Sequence, residues 1–213
     1  MTAHLYPAGP PAGVPAGVAD TRWRTRDIVI TAIIGVAFGV VFWAWGIAWY
    51  GPFAVIDAVA PVLKDLLYAV WLIPAVLAPL IVRRPGAAIF AEVVAAVVSA
   101  LLGSAWGIDT LLSGLLQGAG AELVFAFGLY RSWSYPTLAL AAIGSAAAAW
   151  LHDWVIYYQD VAIELQLLRG VMMAISAMIF VAGGSVFLAR ALGSAGVLDG
   201  FPGGPAPRGA RAS

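Results

Sequence analysis

The chain has 213 residues, 62% of them hydrophobic and only 10% charged, with a mean hydropathy of +0.94. Soluble domains carry about 25% charged residues, so a single water-soluble domain is excluded and the chain belongs in a bilayer. The 11 basic and 11 acidic residues cancel, leaving no electrostatic footprint for nucleic acid, and zero cysteines with two distant histidines, His4 and His152, remove disulfides, thiolate metal sites and a histidine cluster.

Residues 1–21 repeat Pro-Ala-Gly at Pro7, Pro11 and Pro15 and hold too little apolar surface to offset the entropy of ordering. They are expected to form a disordered cytoplasmic tail. A membrane domain follows over 22–192, because a hydrocarbon core of about 30 Å takes roughly 17 to 25 mostly apolar residues per helix. Six such runs are present: 27–49, 66–82, 86–102, 108–130, 136–157 and 166–192. Alternation of period two is missing, and Ala, Leu and Gly dominate, which argues against a β-barrel. The Pro- and Gly-rich stretch 193–213 reads as a second disordered cytoplasmic tail. The expected fold is an all-α integral membrane protein, six transmembrane helices in a compact bundle in a bacterial cell membrane.

Basic residues orient the six helices. Arg22, Arg24 and Arg26 precede the first, Arg83 and Arg84 join the second and third, Arg131 joins the fourth and fifth, and Arg190, Arg208 and Arg211 follow the sixth. The other side holds Lys64 and Arg169 beside Asp57, Asp65, Asp109, Asp160 and Glu164. Basic bias marks the cytoplasmic face, so both termini are expected there. Aromatic residues concentrate toward the opposite side, with Trp43, Trp45, Trp49 and Tyr50 closing the first helix, Trp106 in the third connection, and Trp150, Trp154, Tyr157 and Tyr158 closing the fifth.

On a regular helix Trp150, Asp153, Trp154 and Tyr157 fall within an arc of about 100°. Two indoles, a phenol and a carboxylate on one face suit a flat aromatic cation through stacking, cation–π attraction and charge pairing. His152 is expected to point the other way, satisfied by a neighbouring helix or interfacial water. The stripe Phe38, Phe42, Trp45 and Trp49 reads as ordinary packing.

Charges inside a membrane are costly and point to function by default. Glu92 and Glu122 qualify: eight residues beyond Arg84 and nine before Arg131, they lie roughly 12 to 14 Å from the cytoplasmic helix ends. Matched depth allows a shared polar site, or alternatively a structural hydrogen bond between helices. Gln117 opens the Gln-Gly-Ala-Gly-Ala-Glu segment that ends at Glu122, about 140° from it on a regular helix. Thr31, Gly35 and Gly39 recur every four residues, a small-residue stripe that admits a close neighbour, internal or external.

A phosphate-binding loop needs Gly-x-x-x-x-Gly-Lys-Ser/Thr, and the sole lysine, Lys64, stands between Leu63 and Asp65. The chain is therefore not a nucleotide hydrolase of that type, and with no Gly-x-Ser-x-Gly elbow it is not expected to be an enzyme.

Four segments carry a family resemblance: Trp23-Arg24-Thr25-Arg26-Asp27-Ile28-Val29, Arg84-Pro85-Gly86-Ala87-Ala88 followed by Glu92, Gly103-Ser104-Ala105-Trp106-Gly107, and Gln117-Gly118-Ala119-Gly120-Ala121-Glu122-Leu123-Val124-Phe125. In this order, between Arg22 and Arg190, they resemble the YkoE family of substrate-binding S components of energy-coupling factor (ECF) transporters. The resemblance implies a six-helix capture subunit with an outward pocket for thiamine or its hydroxymethylpyrimidine precursor. It also implies a transmembrane coupling protein, which Thr31, Gly35 and Gly39 would contact, and two cytoplasmic ATPase domains. The chain itself would bind no cofactor, ATP being used by the partner subunits. Trp106, Trp150, Trp154 and Tyr157 would stack on the ligand, while Glu92, Glu122 or Gln117 would bond the aminopyrimidine edge; with the two glutamates structural, Asp153 would be the recognition carboxylate. The alternative is a proton- or ion-coupled carrier using Glu92 and Glu122, and a third possibility is a purely structural membrane protein.

Overall fold

A computed structural model describes residues 22–204; the tail expected over 1–21 and the last part of the other, 205–213, lie outside the described residues. Among the described residues every regular element is helical. Five stretches are long and apolar enough to cross a membrane, namely Thr25–Tyr50, Pro61–Val82, Asp109–Phe127, Tyr135–Tyr157 and Ile163–Ser194, and Ala87–Leu101 is a shorter apolar helix.

Helix α1 (Thr25–Tyr50) starts where Asp27 reaches back to accept the Arg24 backbone N–H at 3.1 Å. The same buried carboxylate accepts from Arg84 Nε at 2.9 Å, tying the start of α1 to the turn at 83–86. Along α1, a Cβ at Gly35 or Gly39 would stand 2.7 or 2.5 Å from Val94 or Val98. These two glycines let α1 lie directly on α5 (Ala87–Leu101). Thr31, buried on that side, gives its hydroxyl to the Asp27 carbonyl at 2.7 Å. The expectation that Thr31, Gly35 and Gly39 meet a partner protein is corrected by this packing, because the close approach they permit is used within the chain.

After α2 (Ala54–Val59) and α3 (Pro61–Lys64), the chain winds as a 3-10 helix over Asp65–Leu72 before entering α4 (Ile73–Val82). Expectation there is one continuous α-helix from 66 to 82. Pro74 marks the junction: it has no N–H to give the Val70 carbonyl, so the α-helical ladder is broken where the 3-10 segment passes into α4. At three residues per turn, Asp65, Tyr68 and Trp71 align on one side of that segment, and all three are buried. Helix α4 is the central stave, buried at every residue from Pro74 to Val82 and packed on α1, α5, α6 (Asp109–Phe127), α7 (Tyr135–Tyr157) and α9 (Ala182–Ser194).

Helices α6 and α7 cross at Gly120 and Gly144, where each Cβ position lies within 2.6 Å of the other's carbonyl oxygen. The last crossing consists of α8 (Ile163–Ser176), a π turn over Ala177–Val181, and α9. A tail beginning at 193 is corrected: α9 runs to Ser194 and the chain then folds back on α4. Leu198 is fully buried, the Gly203 N–H bonds the Ile81 carbonyl at 3.1 Å, and Arg26 lies 5.2 Å from the Phe201 ring centre.

Contacts between loops define two ends: Arg84 reaches Asp27 and Gly86 reaches Glu122 at one, while Arg169 reaches Asp65 and His152 reaches Asp109 at the other. Arg22, Arg24, Arg26, Arg83, Arg84, Arg131 and Arg190 gather at one end. The other holds Asp57, Asp65, Asp109, Asp160 and Glu164 with Lys64 and Arg169.

Candidate functional site

The acidic end encloses a cavity of ≈ 200 Å³. Its aromatic wall is built around Trp71, which the 3-10 winding places beside Tyr68 and toward the last turn of α1. Ring centres lie 4.9 Å away at Trp49, 5.2 Å at Tyr68 and 5.4 Å at Trp106, all edge-on. Tyr50 extends the wall 5.3 Å beyond Trp106. The Trp71 indole N–H is taken by the Phe42 carbonyl at 3.4 Å, which fixes the ring against α1.

The polar wall comes from α6 and the end of α7. Gln117 donates to Ser113 Oγ at 2.7 Å and to the Tyr68 hydroxyl at 3.4 Å. His152 stands between two carboxylates, with Nδ1 3.0 Å from Asp153 and Nε2 3.2 Å from Asp109, and Tyr157 donates its hydroxyl to Asp109. Asp57 and Lys64, from the α2–α3 segment, form an ion pair in the same lining. Three carboxylates thus face a space walled by indoles and phenols.

Of the side chains expected to bind substrate, Trp106, Gln117, Asp153 and Tyr157 line the cavity, and Glu92, Glu122, Trp150 and Trp154 do not. The arc expected on α7 is split by the roll of the helix. Its buried stripe, Ala142, Ser145, Ala146 and Ala149, continues into His152 and Asp153, so the inward direction bisects His152 and Tyr157. Trp150 is turned toward α8, where its indole N–H bonds the Gln166 carbonyl at 2.9 Å and its ring lies 5.2 Å from Trp154. The expectation that His152 points away is corrected accordingly: it belongs to the lining. The ladder of small residues was the signal that could have found it. Asp109, Tyr68 and Trp71 were also missed, the last two because 3-10 winding replaces the period of 3.6 on which their placement would be read.

Of the two alternatives open for Glu92 and Glu122, a shared polar site or a structural hydrogen bond between helices, the geometry has the second, each carboxylate serving the start of a different helix. Glu122 accepts from the backbone N–H groups of Gly86 at 2.5 Å and Ala88 at 3.0 Å, and from the Tyr130 hydroxyl at 2.7 Å, capping α5. Burial, with the Glu122 carboxylate beside it, raises the Tyr130 phenol above its ordinary pKa and keeps it a donor. Glu92, fully buried, accepts the Ala75 N–H at 2.9 Å in the first turn of α4. A helix that begins inside a membrane leaves donors without partners, and Glu92 supplies one acceptor there.

Beside the main cavity lies a smaller one of ≈ 120 Å³, and Trp49, Asp57, Lys64 and Tyr158 border both. Arg169 closes its far side, paired with Asp65 at 2.9 and 3.1 Å and lying 3.6 Å from the Tyr158 ring centre. Burial raises the Tyr158 phenol above its ordinary pKa, against the opposing pull of Arg169. Among the described residues no three His, Asp or Glu side chains converge where a metal ion could sit; Asp109, His152 and Asp153 stand in a row, with the imidazole between the acids.

Comparison with known proteins agrees with this membrane architecture. The family of permease components of the ABC-type cobalt transport system matches residues 26–148. A Bacillus subtilis (strain 168) protein provisionally named HMP/thiamine permease protein YkoE is 36% identical over 134 residues, which are 62% of this chain and 64% of that relative. The chain thus spans less than two thirds of the relative's length. A crystal structure of an S-component of ECF transporter superposes with a TM-score of 0.79 at 30% identity, covering 85% of this chain and 91% of that one.

Proposed function

This chain belongs to the YkoE family of S components of ECF transporters and is a multi-pass cell membrane protein, and from that premise we propose that it captures thiamine or its hydroxymethylpyrimidine precursor from outside the cell. The observation that carries the reading is the cavity at the acidic end, with an aromatic wall on one side and carboxylates on the other. A flat aminopyrimidine is neutral enough to stack on indoles and offers amino hydrogens and ring nitrogens at its edge. Trp106 supplies the stack, and Trp71, edge-on to it, closes the end of the ring. Asp153 accepts from the amino group, and Gln117 with Ser113 meets the ring-nitrogen edge. The recognition carboxylate is then Asp153, with Glu92 and Glu122 holding helices, and Trp150 and Trp154 anchoring α7 to α8.

The orientation follows from charge and connectivity. The arginine end faces the cytoplasm under the positive-inside rule, which puts both termini there and the cavity outside. Six crossings satisfy the connectivity, because α4 ends at Arg83 and α6 begins at Asp109 at the other end, so α5 must traverse the bundle between them. At 15 residues it spans about 22 Å, and the turns at either end make up the rest. Delivery inward depends on a transmembrane coupling protein and two ATPase domains in other chains. With Thr31, Gly35 and Gly39 engaged on α5, the coupling protein meets other residues of the bundle.

Calorimetric titration of the purified full chain in detergent, with hydroxymethylpyrimidine and with thiamine, tests the reading. Saturable one-site binding of at least one of them is expected, with quenching of tryptophan fluorescence. Absence of binding by both overturns it.

A further inference from the structure

At the arginine end Arg83 and Arg84 are neighbours with different surroundings. Arg84 is buried against Asp27. Arg83 turns toward the start of α7, where its guanidinium lies 5.6 Å from the centre of the Trp133 ring, itself stacked on Phe125 at 5.1 Å. Arg83 is half-buried, and its Nε is shut off from solvent with no hydrogen-bond partner among the described residues. The two buried carboxylates of this end are engaged elsewhere: Asp27 holds Arg84 and the Arg24 N–H, and Glu122 caps α5 and binds Tyr130. Burial pulls the Arg83 pKa below its ordinary value, with no carboxylate among the described residues offsetting it. The backbone adds a second cost, because Arg83 ends α4 at φ +53°, a left-handed position that glycine fills without strain. A guanidinium held in a strained backbone and desolvated without a counter-charge calls for a partner outside the chain.

We propose that Arg83 on the face of Trp133, together with Arg131 two residues before it on the same loop, binds the phosphate of an anionic phospholipid in the leaflet at the arginine end, the cytoplasmic one in the orientation argued above. Stacking on an indole uses the face of a guanidinium and leaves its edge of N–H donors for phosphate oxygens. Arg131 is exposed and brings a second charge to the same group. Position favours a lipid over a free phosphate. Arg83 follows directly on the apolar span Pro61–Val82, which sets it at headgroup level, the depth that tryptophan also prefers. On the turn between α6 and α7, Phe127 and Leu129 are 86% and 60% exposed, apolar surface on which an acyl chain can lie beside its headgroup. The site is at the opposite end from the cavity, so the proposal does not rest on the capture reading, and neither pyrimidine nor thiamine enters its test.

Native mass spectrometry of the full chain in detergent, titrated with phosphatidylglycerol or phosphatidylcholine, reads lipid affinity directly. The wild-type chain is expected to hold one phosphatidylglycerol at least about fivefold more tightly than phosphatidylcholine, and Arg83→Gln to lose about fivefold for phosphatidylglycerol, the worth of one basic residue at a membrane surface. Arg131→Gln should lose about threefold, and Arg190→Gln, an exposed arginine of the same end on α9, should stay within about twofold. Melting temperatures in lipid-free detergent report whether each variant is folded. Should Arg83→Gln fail to fold, Arg131→Gln set against Arg190→Gln decides by the same criterion. Equal affinity for the two lipids overturns the proposal, and so does an equal loss in the Arg190→Gln variant, which would make the attraction a diffuse one. Displacement of phosphatidylglycerol by inorganic phosphate, with the same gain in melting temperature, overturns the lipid as the source of the phosphate.

Discussion

His152 touches a carboxylate with each ring nitrogen, so α6 and α7 are joined at the cavity through one imidazole, and the two aspartates hold fixed positions in its wall. Asp153→Asn removes a charge-assisted acceptor from the site and is expected to weaken hydroxymethylpyrimidine binding about tenfold, within the range for a buried hydrogen bond to a charged group; titration reads it. Glu122→Gln is the contrasting case. It should leave ligand affinity within about twofold while lowering stability by about 1 kcal/mol, the usual worth of a helix cap, seen as a lower melting temperature of the same protein. At this scale the sequence carried part of the cavity lining. Trp106, Gln117, Asp153 and Tyr157 were legible because residue chemistry and membrane depth sufficed. His152 was not, because polarity alone does not tell which way a helix is rolled, and the choice between the two readings of Glu92 and Glu122 stayed open because nothing in a sequence marks which helix starts need an acceptor.

Between elements, small residues decide spacing and prolines decide winding. Gly39→Val places methyl groups where Val98 already stands and should cost about 1–3 kcal/mol or more by overpacking, visible as a fall in melting temperature without any change at the cavity. Pro74→Ala tests the winding. Restoring the N–H would let the segment before it relax toward an α-helix, turning Tyr68 against Trp71 by about 60°, the difference between three residues at 3.0 and at 3.6 per turn. Ligand affinity should fall although the substituted residue is outside the cavity lining, and a Pro74→Ala chain that binds as the wild type does would dissociate the 3-10 winding from the aromatic wall. Helix existence and order were readable from hydropathy and charge, whereas the 3-10 segment and the π turn were not, since both depend on bonds lost or added within otherwise uniform apolar runs.

For the whole molecule, the cysteine-free sequence makes sidedness directly measurable. A membrane-impermeant maleimide applied to intact cells is expected to label Asp160→Cys, and to label Arg131→Cys only after permeabilisation; the reverse pattern would invert the topology. A last consequence follows from α4. Every side chain from Pro74 to Val82 is apolar and enclosed by neighbouring helices, so for about 14 Å between the cavity and the arginine end the central stave is closely packed, with the Glu92 carboxylate at its start. Along that stave the berth is a cul-de-sac, and under the capture reading proposed above a solute lodged there would reach the far side only when the vessel itself is tipped.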